Sequence, residues 1–69
     1  MRITEKRVRE FAEEMGGLLG KDFELNTRNG YWGIDFNNRK NNLFIGTLRE
    51  CYYYLKGIND GIFLYRQIN

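Results

Sequence analysis

The sequence predicts an α+β domain of order α-β-β-β-α, on three observations. A stripe of apolar residues at helical spacing opens the chain. An Asn-Gly pair separates two runs of strand alternation, and a Thr-x-x-Glu box begins a second helical stripe. The three strands form an antiparallel meander with both helices packed on one face, the compact way to bury a single apolar sheet face. At 69 residues the chain is one domain, 1–69.

In the first helix Val8, Phe11, Ala12 and Met15 fall at i, i+3, i+4 and i+7, while Lys6, Arg9, Glu10, Glu13 and Glu14 occupy the remaining circumference. Thr4 is the expected N-cap. The stripe can run on to Leu19 with Gly20 as the cap, but each interior glycine costs a helix roughly 1 kcal/mol, so the stop is expected near Gly16 or Gly17. Phe23, Leu25 and Thr27 then alternate with Asp22, Glu24, Asn26 and Arg28, the period of a strand. Asn29-Gly30 predicts a type I′ turn, which needs positive φ at both central residues. That turn opposes Arg28 to Tyr31, Thr27 to Trp32, Leu25 to Ile34 and Phe23 to Phe36, so the large apolar residues share one face.

Residues 37–42, Asn-Asn-Arg-Lys-Asn-Asn, predict a polar loop, and Leu43–Gly46 a short third strand. Setting Phe36 opposite Leu43 and Ile34 opposite Ile45 sends Phe44 to the outer face and puts Gly33 beside Gly46. Thr47 and Glu50 form a capping box, and the stripe Leu48, Cys51, Tyr52, Leu55, Ile58, Ile62 predicts a helix running to about Tyr65, through Gly57 and Gly61.

Composition narrows function by exclusion. Hydrophobic residues make up 42% of the chain and aromatics 16%, and a net charge of +2 lacks the basic excess of a dedicated nucleic-acid binder. There is no histidine, the commonest general base, and Cys51 is the single cysteine, so no internal disulfide can form. Cys51 lies on the buried stripe, where a thiol behaves as a small hydrophobe. No run approaches the ~20 apolar residues of a membrane span, and no N-terminal stretch has a signal peptide's apolar region. The expectation is a reduced, cytoplasmic, non-enzymatic domain without cofactor.

Tyr52, Tyr53 and Tyr54 stand in a row on a helix that turns about 100° per residue, so they cannot share a face. Tyr52 is expected in the core, Tyr54 at its edge, and Tyr53 outside. Tyr53 and Tyr54 make one candidate protein interface. On the outer sheet face Tyr31 and Phe44 are expected to flank a bare centre at Gly33, and with Arg28 they make another. With Arg39 and Lys40 added, Arg28, Tyr31 and Phe44 have the mix that single-stranded nucleic acid uses. Glu24 opposes Asp35, with Asp22 nearby. Three carboxylates suit a hard cation such as Mg²⁺, unless Lys21, Arg39 or Lys40 neutralises them.

Two stretches, Gly30–Phe36 (GYWGIDF) and Thr47–Gly61 (TLRECYYYLKGINDG), resemble small proteins of phages, prophages and conjugative elements of Gram-positive bacteria. Those proteins carry a Gly-Tyr-led strand and a closing helix of the form Arg-Glu-x-x-x-x-Leu-x-Gly-x-x-x-Gly. The resemblance implies a mobile-element accessory protein in the host cytoplasm, some members of that group being anti-CRISPR or other anti-defence inhibitors. One anti-CRISPR type shares the element order, but it is strongly acidic and mimics DNA, unlike this chain. The order is also similar to that of the double-stranded RNA-binding domain. That family contacts RNA through a Gly-Pro-x-His loop and a Lys-rich start to its last helix. Here Asn29-Gly30 and Thr47–Cys51 stand in those places, so the likeness carries topology alone. The expected function is an interaction module whose partner is another protein or a second copy. The alternative is a weak nucleic-acid-binding domain.

Overall fold

The structure, a computed structural model, describes residues 2–68. Its elements are α1 (Glu5–Leu19), β1 (Glu24–Arg28), β2 (Tyr31–Phe36), β3 (Asn41–Gly46) and α2 (Leu48–Ile68). The strands form one antiparallel sheet in the order β1-β2-β3, with both helices on its inner face. This is the predicted α+β architecture.

Thr4 caps α1: its Oγ1 accepts from the Arg7 N–H at 3.2 Å, and its carbonyl from the Val8 N–H at 3.0 Å. The helix does not stop at Gly16 or Gly17. It continues to Leu19 and ends on Gly20, whose left-handed φ of 69° closes a Schellman motif: Lys21 N–H to the Gly16 carbonyl, Gly20 N–H to that of Gly17. Gly16 has a different task. A Cβ there would stand 2.6 Å from the Lys21 carbonyl oxygen and 2.8 Å from the Phe23 nitrogen. Glycine at this position lets the chain fold back tightly from α1 into β1. The Arg9 guanidinium then ties helix to strand, donating to the Leu25 carbonyl at 2.9 Å.

The β1–β2 hairpin has the predicted register, Arg28 opposite Tyr31 through Glu24 opposite Asp35. Asn29 and Gly30 hold φ of 49° and 84° at its turn. The β2–β3 register differs from expectation. Ile34 pairs with Phe44, Gly33 with Ile45 and Trp32 with Gly46, while beyond a bulge Asp35 pairs with Asn42 and Phe36 with Asn41. Leu43 is the extra residue of that bulge, and it reverses the parity of β3 relative to the sequence reading. Phe44 therefore turns inward and stacks on Tyr54 at 4.8 Å between ring centroids, whereas Ile45 faces outward, 51% exposed. The β2–β3 turn is also tighter than expected, with Asn37, Asn38 and Arg39 all at left-handed φ.

Between the layers lie Val8, Ala12, Met15, Phe23, Leu25, Ile34, Cys51, Tyr52 and Leu55, with Trp32, Phe36 and Phe44 packed against them. The Thr47–Glu50 capping box opens α2 as predicted. The Thr47 N–H donates to Glu50 Oε1 at 2.8 Å, and the Glu50 N–H to Thr47 Oγ1 at 3.1 Å. At 21 residues α2 is about 31 Å long, and its last contact with the core is Ile58. Its final turns run past the rest of the domain.

Candidate functional site

The outer sheet face is not bare. At its centre lies Asp35, with no solvent exposure. Asn26 Nδ2 donates to one carboxylate oxygen at 2.8 Å. The other oxygen accepts from Asn42 Nδ2 at 2.9 Å and from Arg28 Nη2 and Nε at 2.9 and 3.2 Å. Arg28 lies across the sheet because Gly33 leaves room for it. A Cβ there would meet Arg28 Cδ and Asn42 Nδ2, each at 3.1 Å. The space over Gly33 is thus filled by Arg28 and Asn42, and is not the bare centre expected between Tyr31 and Phe44.

Burial alone would raise the Asp35 pKa. Hydrogen bonds from Asn42, Asn26 and Arg28, with the guanidinium's charge, outweigh that and hold it below the ordinary value. Asn42 Nδ2 also approaches the Ile34 and Phe44 carbonyls, 3.4 and 3.1 Å away. It clamps the bulge from which the β3 parity follows. Among the described residues no buried side-chain nitrogen or oxygen lacks a hydrogen-bond partner.

The carboxylate trio considered for a cation does not assemble. Glu24 is bound by Arg39 at 3.1 Å, a hydrogen bond that lowers its pKa and raises that of Arg39. Asp35 is taken by Arg28 and the two asparagines. Among the described residues no three metal-ligating side chains cluster. Two of the three cations named for nucleic acid, Arg28 and Arg39, therefore have carboxylate partners within the protein. Phe44, named for both candidate surfaces, faces the core. Tyr31 remains outside, 57% exposed.

The three consecutive tyrosines separate as helix geometry requires. Tyr52 is buried against Phe11, and Tyr54 is half-buried under Phe44. Tyr53 is exposed, with the Arg49 guanidinium 5.4 Å from its ring centroid. Beyond them α2 exposes Phe63, Leu64 and Tyr65, each by more than half. Phe63, Ile45 and Leu43 were absent from the sequence-derived list. For Phe63 a signal existed, since it lies off the core stripe by simple helical spacing. For Ile45 and Leu43 there was none, because the bulge inverts their orientation.

Cys51 is fully buried, and burial, with Glu50 nearby, pushes its thiol up to about 11. That is the reverse of an activated nucleophile. A groove of about 380 Å³ runs between the helices over Phe11 and Tyr52. Arg7 and Lys56 face Glu10 and Glu14 there, so it favours neither sign of charge. Among the described residues no helix is long and apolar enough to cross a membrane. No protein family, no characterised protein and no solved structure matches this chain.

Proposed function

We propose that the protein is a small non-enzymatic interaction module that binds another protein chain through the exposed side of α2. One observation carries this reading. The last turns of α2 leave the core behind and present Leu64 to solvent on the side that carries Tyr53, with exposed Tyr65 on the neighbouring side. A helical end of this length is marginal in water by itself. Large apolar residues grouped on it suit a helix face that another protein covers. The accessory role in a phage or other mobile element belongs to the same proposal, supported by the motif resemblance of Gly30–Phe36 and Thr47–Gly61.

Nucleic-acid binding is the weaker reading, because Arg28 and Arg39 would have to leave Asp35 and Glu24 to reach phosphate. Two measurements separate them. Capture from cells expressing the protein should yield a protein partner with the native chain and lose it with Tyr53→Ser/Leu64→Ser. Fluorescence anisotropy with labelled single-stranded oligonucleotides should show no saturable binding near physiological salt. Tight binding that falls steeply as salt rises would reverse the assignment.

A further inference from the structure

We infer that Asn29 is a site of spontaneous covalent modification, that the β1–β2 turn holds the reaction back, and that its isoaspartyl product unfastens β1 from the sheet. The inference is independent of what covers α2.

The chemistry begins with a residue pair. The side-chain amide of an asparagine is open to attack by the backbone nitrogen of the next residue. A new N–C bond closes a five-membered succinimide and the amide C–N bond breaks. The side-chain nitrogen leaves as ammonia, carrying off the proton of the attacking N–H. Water then opens the ring at either carbonyl. One product is aspartate. The other is isoaspartate, whose main chain runs through the β-carbon. A side chain on the attacking residue hinders closure, and of the asparagines only Asn29 is followed by glycine. Asn29 and Gly30 are both exposed, and a Cβ at Gly30 would meet no atom within 4 Å. Only the backbone conformation stands in the way of the ring.

That conformation is adverse. Asn29 and Gly30 hold φ of 49° and 84°, the left-handed pair of a type I′ turn. Ring closure needs the Gly30 nitrogen to eclipse the Asn29 Cβ. A left-handed residue turns that nitrogen to nearly the opposite side of the Cα–C bond. The reaction therefore waits until the end of the hairpin opens. Asp60-Gly61 can close the same ring by losing water, but it lies within α2, where the helix ladder engages the Gly61 nitrogen. Asn26 and Asn42 precede Thr27 and Leu43, and their amides are bound to Asp35 at 2.8 and 2.9 Å.

The two products differ in what they do to the fold. Aspartate at position 29 keeps the backbone, and Asp-Gly serves the same turn. Isoaspartate adds a methylene to the main chain inside a two-residue turn, so the pairing of Arg28 with Tyr31 cannot be kept. Arg28 and Asn26 reach Asp35 through that register. A change at an exposed turn thus strips donors from a carboxylate with no solvent exposure. Ammonia is lost to solvent, so the loosened form accumulates as the chain ages.

The test is incubation of the full chain at 37 °C and about pH 8, native and in guanidinium chloride. Ion exchange separates the forms that gain a negative charge, and peptide mass mapping places the change. Labelling by an isoaspartyl methyltransferase tells the products apart. Modification is expected first at position 29, at least tenfold slower in the native chain than in denaturant. In denaturant Gly30→Ala should slow it at least fivefold. The purified isoaspartyl form should melt about 5 °C or more below the native chain and lose amide protection along β1, whereas Asn29→Asp should melt within about 2 °C of it. Equal rates with and without denaturant overturn the restraint by the turn. Faster change at another position overturns the site, and a Gly30→Ala rate unchanged in denaturant overturns the ring. An isoaspartyl form that melts like Asn29→Asp overturns the unfastening.

Discussion

Between β1 and β2 the register follows from two adjacent residues, whereas between β2 and β3 it follows from a network spread over 17 positions. Asn29 and Gly30 adopt the left-handed angles of a tight turn, and every pair from Arg28–Tyr31 to Glu24–Asp35 falls into place behind it. The second ladder begins at a turn of asparagines and Arg39 and passes through a bulge at Leu43. There Asn42 bridges Asp35 and the Ile34 and Phe44 carbonyls. A turn fixes register locally. A buried carboxylate fixes it only if Asn26, Arg28 and Asn42 all arrive, so it acts late and at a distance.

The sharpest way to break this contrast is Asp35→Ala. It removes the acceptor that Arg28, Asn26 and Asn42 share and should cost about 2–3 kcal/mol. That is less than for a fully buried pair, because Arg28 stays partly solvated. Urea unfolding reads it, and a loss under 0.5 kcal/mol would mean the network does not hold the sheet. Next comes Asn42→Ala, at about 1–2 kcal/mol. Its amide spectrum should show β3 exchanging between registers, while β1 and β2 stay sharp. Gly30→Ala should cost about 1 kcal/mol and act on the other ladder, loosening β1–β2 contacts and sparing Asp35–Asn42.

The smallest effect is expected from acid. The Asp35 pKa is lowered in the folded state, so its contribution is full above the unfolded value and disappears as pH falls through the folded one. The urea midpoint should therefore decline below pH 4. Asp35→Asn should flatten that decline without abolishing it, because Glu24 is shifted in the same direction.

The same contrast separates what was legible in the sequence from what was not. Thr4, Asn29-Gly30 and the Thr47–Glu50 box act on their own neighbourhood, and each produced the expected element in the expected place. The end of α1 misled because glycine has two uses. Gly16-Gly17 read as a stop, whereas the stop is Gly20, and Gly16 serves a close approach that depends on where Lys21 and Phe23 go. The face of Phe44 was unreadable for a similar reason. Leu43–Gly46 is too short to reveal its own parity, and the bulge that decides it depends on Asp35, seven residues before Asn42. One clue was present: Glu24 opposite Asp35 demanded cations. Arg39 was among the candidates and serves Glu24. Arg28 shares the face with Asp35 across the gap at Gly33, and it serves the other.

The burial of Cys51 gives the molecule an internal clock. Cys51 is fully buried in the core cluster between helices and sheet, so a disulfide reagent reaches it only when the helices part from the sheet. The ratio of that labelling rate to the rate in denaturant measures how seldom the domain opens, at a position neither sheet edge nor helix end can mimic. One native atom thus reports the cohesion of the whole chain.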